Sequence, residues 1–398
     1  MLSKRLKLSF SIFLAFMPIV GIYASPIPGL NLAEIILAIF WLLFLKDRHG
    51  ILSFSGKADL CLFVVYNIVI YIVNCLAKGI GTDIFFRTVR FSFYYLTAAF
   101  WGQLYFDLNT YYKWLRRIVV LSVAFIIFQY FAFYISGRSI LGFIPGLKVF
   151  QDYRSETIIS KFAYAYRPSS FFQEPAHYCQ YLFIFLIFTM FNSQSKNRIV
   201  DLIICCVGII LSTSGQGILI GAGIWLIYIV SMFRKQKLNT NRFIISILFI
   251  FSVPIIMYVL SRATVVSTTI SRITNTGEQS ASYARLGVYS YFLSDSSILE
   301  IVFGHSFGAV ISESLFMPDV VYIIYGSGLI GMFILLVFFY KNYFRGNVVN
   351  RILIITFLVL FSVASTFRSL TGLVYLILLS DLTMDTLIEN NNEASKVM

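Results

Sequence analysis

Continuous apolar segments, each about as long as a bilayer is thick, recur along the whole chain. A helix of about 20 apolar residues spans the hydrocarbon core of a membrane. The chain is 59% hydrophobic and only 12% charged, unlike a soluble protein of 398 residues. Membrane-spanning β-strands would instead give alternating segments of about ten residues. The sequence therefore predicts an all-α polytopic membrane protein.

The apolar segments predict about twelve transmembrane helices in a single integral membrane domain, 1–398. They lie near residues 8–24, 30–45, 58–77, 84–106, 115–136, 176–192, 199–213, 216–233, 243–260, 319–340, 352–367 and 370–386. With a cytoplasmic N-terminus, most Lys and Arg residues fall in short cytoplasmic loops, as the positive-inside rule requires. Both termini are therefore expected in the cytoplasm.

Two outer segments, roughly 137–175 and 261–318, are much longer than the other outer connections. Long loops in a compact domain often carry function. The net charge of +13 follows from the membrane topology and does not indicate nucleic-acid binding. The basic residues on the outer side are mostly arginine, whose planar fork suits phosphate and carboxylate groups. We expect the chemistry to lie where these loops meet.

The first polar cluster runs from Arg167 to His177, just before and into the sixth predicted span. Pro175 suits the first turn of that helix, with Glu174 immediately before it. Two interpretations stay open. Glu174 is either a helix-start residue paired with Arg167, or a general base beside a cation. His177 lies three residues beyond Glu174, on the same helical face, and is either a polar partner or a second base.

A second cluster, residues 212–217, links the seventh and eighth predicted spans with small residues. The hydroxyls of Ser212 and Ser214 and the backbone N–H groups could bind an anion there. A plain turn is the alternative, because Ser and Gly are ordinary turn formers.

The third cluster occupies the second long loop. It contains Arg272, Tyr283 and Arg285, followed by His305 between small residues. Arginines on the outer side run against the topological bias, so an anionic ligand or a solvated surface would explain them. The glycines around His305 indicate either a close backbone approach or a structural turn.

These motifs resemble those of a known family. The run Arg167-Pro-Ser-Ser-Phe-Phe-Gln-Glu174-Pro-Ala-His177 resembles the Arg…Phe-x-Glu-Pro signature of Wzy-type O-antigen and capsular polysaccharide polymerases. Ser212-Thr-Ser-Gly-Gln-Gly217 is similar to the family's Ser-x-Ser turn, which often carries Arg where this chain has Gly215 and Gln216. Arg285, Gly304-x-x-x-Gly308 and Gly328-x-x-Gly331 fit the later half, so the resemblance covers most of the chain.

The resemblance implies a GT-C-like, metal-independent glycosyltransferase without a cofactor, at the periplasmic face of the bacterial inner membrane. It would join oligosaccharide repeat units carried on undecaprenyl pyrophosphate, and undecaprenyl pyrophosphate would leave. The expected partners are these lipid-linked oligosaccharides, the lipid bilayer and a chain-length co-polymerase, with no nucleic acid.

Glycosyl transfer needs a base for the attacking hydroxyl and positive charge at the departing pyrophosphate. We expect Glu174 to be the base, with His177 or His305 as substitute. Arg167 and Arg285 are expected to hold the pyrophosphate, with Arg272 in support. Further candidate substrate contacts are Ser212, Ser214 and Tyr283.

Two other functions stay open. An O-antigen ligase, which transfers glycan to lipid A–core, has related architecture, and His305 in an outer loop is compatible with it. A polysaccharide flippase or transporter would carry ionisable residues inside the spans, and acidic residues are sparse there.

Overall fold

The computed structural model describes residues 2–47, 58–79, 81–102, 104–150, 166–192, 197–234, 288–289, 292, 296–311 and 316–381. Within these ranges most residues are helical, and the only β-structure consists of isolated β-bridges. The helices are α1 (Leu2–Val20), α2 (Leu32–Lys46), α3 (Ala58–Lys78), α4 (Thr82–Leu96), α5 (Leu108–Ser136), α6 (Pro175–Phe191), α7 (Arg198–Leu211), α8 (Gly215–Arg234), α9 (Ile298–Phe303), α10 (Asp319–Arg345), α11 (Val348–Val363) and α12 (Leu370–Asp381). A π-helical segment, Thr97–Trp101, continues α4.

Several of these helices have the length and composition of membrane spans. Among the described residues, α3, α5, α10 and Gly215–Met232 of α8 are long and apolar enough to cross a bilayer. Pro175–Phe191, Val348–Val363 and Leu370–Ser380 are shorter apolar helices. The predicted helical class with membrane-type helices is confirmed at this level. The predicted span at 243–260 lies outside the described residues.

The chain divides into two compact units. Unit 1 contains Met1–Pro18, Ala33–Tyr112 and Ala281–Met398, and unit 2 contains Ile19–Leu32 and Lys113–Ser280. In unit 1, α10 packs against α3, α9 and α11, and α12 packs against α4 and α11. In unit 2, α6 packs against α7 and α8. The single domain expected from the sequence stays a prediction.

Helix α6 is buried on every side. Its residues from Tyr178 to Met190 are all buried, which fits a helix that is apolar around its whole circumference. Gly208 of α7 lets this helix pack closely, because a side chain there would clash with Tyr178 and Val123. The residues at the start of α6 are therefore attached to a firmly packed element.

Helix α10 is interrupted at Gly328, whose φ of 66° and ψ of −177° leave the helical region. Near the interruption, the carbonyl oxygens of Tyr325 and Gly326 accept hydrogen bonds from the backbone N–H groups of His305 (2.8 Å) and Ser306 (2.9 Å). A β-carbon at Gly328 would clash with the backbone at Val302. The break therefore docks the loop after α9 onto α10.

A buried ion pair joins the start of α10 to the loop between α11 and α12. Arg368 Nε lies 3.0 Å from Asp319 Oδ1, and Arg368 Nη2 donates to Met317 O at 2.6 Å. The guanidinium lies 4.0 Å from the centre of the Tyr322 ring. The other carboxylate oxygen of Asp319 accepts from Phe367 N–H at 2.6 Å. Both charges are compensated, as buried charges must be.

Candidate functional site

Glu174 and Pro175 begin α6 in the way the sequence predicts. Glu174 is the N-cap residue, with extended backbone (φ −135°, ψ 152°), and Pro175 is the first helical residue. The Glu174 carbonyl accepts from Tyr178 N–H at 3.1 Å, but its side chain makes no capping hydrogen bond. The carboxylate is exposed. It therefore remains available to a ligand.

The segment before α6 is fixed in place by contacts with α5. The Tyr166 ring stacks on Phe133, with centroids 4.3 Å apart and planes 5° apart. Ser170 has a φ of 53°, and its backbone N–H donates to Gln129 Oε1 at 3.1 Å. A residue in this left-handed region is held there by its surroundings. Arg167, which lies between Tyr166 and Ser170, is therefore attached to a rigid backbone.

Arg167 carries the least satisfied charge at this site. Its side chain is half-buried and its Nε atom is buried without a hydrogen-bond partner. No ion pair joins it to another residue that the structure describes. Burial lowers the pKa of Arg167, while Glu174, Cys179 and Tyr130 oppose that shift. A partly buried guanidinium with an unpaired N–H group favours the binding of an anion.

The turn between α7 and α8 packs against the first turns of α6. Ser214 is the N-cap of α8, and its Oγ accepts from Gly217 N–H at 3.2 Å. Ser212 Oγ lies 3.1 Å from Cys179 Sγ, on α6. A side chain at Gly217 would clash with Cys179, so the two helices approach closely here. The N-terminal ends of α6 and α8 therefore lie side by side.

The same turn contains polar atoms that the fold leaves unused. Thr213 has a φ of 52°, and its buried Oγ1 has no partner among the described residues. Nε2 of Gln216, in the first turn of α8, is likewise buried and without a partner in the described part of the chain. These groups lie near two helix N-termini and the Arg167 guanidinium, which favour an anion. The arrangement can bind a phosphate or pyrophosphate.

The structure groups some of the predicted site residues and leaves others apart. Arg167, Glu174, Ser212 and Ser214 belong to unit 2. Glu174 and Cys179 both lie near Arg167, and Cys179 contacts Ser212. His177 is half-buried in the first turn of α6, and its ring has no bond to any residue in the described ranges.

His305 belongs to unit 1, where it has its own polar surroundings. His305 Nδ1 lies 3.5 Å from Glu300 Oε1, and Nε2 lies 3.2 Å from Ser296 Oγ. Lys78 also pairs with Glu300. The remaining predicted residues, Arg272, Tyr283 and Arg285, lie outside the described residues, so their roles stay predictions.

Sequence reasoning missed Cys179 and Gln216 at this site. Cys179 lies just after the first cluster. Gln216 lies within the second cluster, where only the serine hydroxyls and backbone N–H groups were expected to bind an anion. The signal for Cys179 was Gly217, because a glycine inside a helix often marks a close approach by a neighbour. Sequence reasoning also missed the polar residues around His305, which are Glu300, Ser296 and Lys78. Lys78 in particular lies far from His305 along the chain.

The described residues contain no group of three or more His, Cys, Asp or Glu side chains arranged to hold a metal ion. Comparison with known proteins gives no assignment either. No protein-family model matches the chain, and no curated protein sequence matches it. A functional assignment therefore depends on the chemistry of the site and on the motif resemblance.

Proposed function

We propose that this protein is a glycosyltransferase that polymerises oligosaccharide repeat units carried on undecaprenyl pyrophosphate. The observation that carries the proposal is the half-buried Arg167, whose Nε has no partner among the described residues, near the exposed carboxylate of Glu174. A buried guanidinium nitrogen without such a partner favours an anionic ligand. A carboxylate next to it provides a proton acceptor.

In the proposed reaction, a hydroxyl of the incoming repeat unit attacks the anomeric carbon of the growing chain. Its proton passes to Glu174 as the new glycosidic bond forms. The bond between the anomeric carbon and the pyrophosphate oxygen breaks, and undecaprenyl pyrophosphate leaves. Arg167 and the N-terminal ends of α6 and α8 stabilise the negative charge that develops on the pyrophosphate.

The proposal includes a membrane arrangement. Twelve spans would place both termini in the cytoplasm and the segments 137–175 and 261–318 in the periplasm. The apolar helices α3, α5 and α10, together with the polar starts of α6 and α8, support this plan. Alkaline phosphatase fused after residue 147 should be active, and a fusion after residue 234 should be inactive. The opposite pattern would contradict the arrangement.

The activity test uses purified full-length protein in nanodiscs with pyrophosphate-linked repeat units. Wild type should form a glycan ladder. Arg167→Lys and Glu174→Gln should each lower the rate by about 10² or more, because both remove a group that acts in the transition state. Arg138→Lys, at an exposed arginine on the loop after α5, is the matched control and should retain full rate. A full ladder from either site variant would remove that residue from the mechanism.

The ligase alternative rests on His305, which Glu300 and Ser296 hold in a polar cluster. Supplying lipid A–core as acceptor separates the two enzymes. Glycan attached to lipid A–core, without a ladder of lipid-linked repeats, would favour the ligase.

A further inference from the structure

A second polar constellation, in unit 1, surrounds the short helix α9. Ser297 caps this helix in a capping box: Ser297 Oγ accepts from Glu300 N–H at 3.4 Å, and Ser297 N–H donates to Glu300 Oε2 at 2.8 Å. Ser297 Oγ lies 2.7 Å from the same oxygen. One carboxylate oxygen of Glu300 therefore accepts the hydrogen bonds of the capping box, which fixes the orientation of the carboxylate.

The other oxygen of Glu300, Oε1, faces His305. It lies 3.5 Å from His305 Nδ1 and pairs with Lys78. Hydrogen bonds from Lys78 and Ser297 to the charged form lower the pKa of Glu300 to about 2. The carboxylate is therefore ionised at neutral pH and places a negative charge beside Nδ1 of the imidazole, where it stabilises the imidazolium that forms during catalysis.

His305 is held on a rigid backbone and is reachable from outside. Its N–H donates to Tyr325 O at 2.8 Å, and its ring stacks on Tyr325 at 4.2 Å between centroids, with planes 26° apart. Its side chain is 14% exposed. On the side away from Glu300, Nε2 lies 3.2 Å from the hydroxyl oxygen of Ser296. The carboxylate of Glu300, the imidazole of His305 and the hydroxyl of Ser296 therefore follow one another in space, and all three belong to unit 1.

We propose that Ser296, His305 and Glu300 form an acyl-transfer site that hydrolyses carboxylic esters. A hydroxyl, a base within hydrogen-bond reach and a group that orients the base are the parts that nucleophilic catalysis needs. Ser296 and His305 are the catalytic residues, and Glu300 and Lys78 are positioning residues. This activity does not rest on the proposed polymerase reaction, since none of its residues belongs to the Arg167 site.

The proposed step balances as two transfers. Ser296 Oγ attacks the ester carbonyl carbon, and its proton moves to His305 Nε2. The bond between the carbonyl carbon and the alcohol oxygen breaks, and the alcohol leaves with the proton from His305. Water then attacks the acyl-serine, gives a proton to His305, and releases the carboxylic acid as Ser296 Oγ recovers that proton. No reactant other than ester and water is required.

The test uses the full chain in detergent with a fluorophosphonate probe, which labels activated serines, followed by peptide mapping. The probe should label Ser296, and Ser296→Ala should abolish that label while the thermal midpoint stays within the error of wild type. Ser362→Ala, at an exposed serine on α11, is the matched control and should label as wild type does. A label absent from wild-type Ser296, or mapped to Ser297 instead, would overturn the proposal.

Two further variants separate catalysis from structure. His305→Gln should slow labelling of Ser296 by about 10²-fold or more, in the range expected for loss of a general base. Glu300→Gln should move the half-maximal labelling pH downward, because loss of the neighbouring negative charge disfavours the imidazolium. Wild type should also hydrolyse p-nitrophenyl acetate. Unchanged labelling in His305→Gln, or an unshifted pH profile in Glu300→Gln, would contradict the assigned roles.

Discussion

Replacing Arg167 by methionine should abolish glycan formation without destabilising the protein. The Arg167 Nε atom is buried with no partner among the described residues. A buried donor without an acceptor costs about 1–3 kcal/mol, and the partial exposure of the rest of this side chain favours the lower end. Methionine fills similar volume without a polar atom. We therefore expect the free energy of unfolding to stay constant or rise by about 1 kcal/mol.

Arg368→Met is the matched comparison, because it removes an arginine that the fold does satisfy. Arg368 pairs with fully buried Asp319 at 3.0 Å and lies over Tyr322. Its loss leaves the Asp319 charge uncompensated, which costs about 3–5 kcal/mol in buried pairs. The same substitution should therefore be harmless to stability at one arginine and strongly destabilising at the other.

The measurement is denaturant-induced unfolding of each purified variant in one detergent, followed by tryptophan fluorescence, alongside the glycan-ladder assay. Arg167→Met should unfold at the wild-type denaturant concentration or above, and should form no ladder. Unfolding of Arg167→Met as early as Arg368→Met would refute the reasoning, because Arg167 would then be a structural residue. Retained activity in a stable Arg167→Met protein would refute its role in binding.

The contacts of Glu174, Gly217 and Glu300 can each be tested by substitution. Glu174→Gln should leave the free energy of unfolding unchanged, since the Glu174 side chain does not cap α6. Ser214→Ala should lower the free energy of unfolding by about 1 kcal/mol, because it removes the N-cap of α8. Denaturation curves of the two variants test both expectations. Gly217→Ala should lower the thermal midpoint, because the added methyl group clashes with Cys179. Adding Cys179→Gly to the same chain should restore part of the lost thermal midpoint. If it restores nothing, the clash with Cys179 is not the cause. The pKa of Glu300 is lowered to about 2 from an ordinary 4.5, so its stabilising contribution should be complete above pH 4.5 and disappear as the pH falls to 2. Glu300→Gln should lack that pH dependence in acid titrations of stability, and an identical profile would contradict it.

The start of α6 shows how far local sequence rules reach. Pro at the first helical position, with a polar residue before it, predicted the boundary at Glu174 and Pro175, which the structure confirms. Local rules did not decide whether Glu174 forms a salt bridge with Arg167. That choice depended on the path of residues 166–174 over α5, which leaves the two charges near each other without an ion pair.

The break in α10 shows the opposite case. This helix contains Gly326, Gly328 and Gly331, and a side chain at Gly326 or Gly331 would press against neighbouring groups. Nothing in the local sequence distinguished them from Gly328, which alone takes a φ of 66° within α10. The loop after α9 imposes that conformation, because its backbone hydrogen bonds need the carbonyls of Tyr325 and Gly326.

The amino-acid sequence alone was enough to predict the helical class, the apolar character of the long helices and the position of several helix ends. Those properties arise from composition, periodicity and backbone preferences within a few residues, which no distant contact has to supply. Packing between distant segments was needed to show that Arg368 pairs with a carboxylate, that Arg167 Nε has no partner among the described residues, and that His305 lies between Glu300 and Ser296. Whether a charge is satisfied depends on side chains brought together by packing, so identical residue types acquire different chemistry.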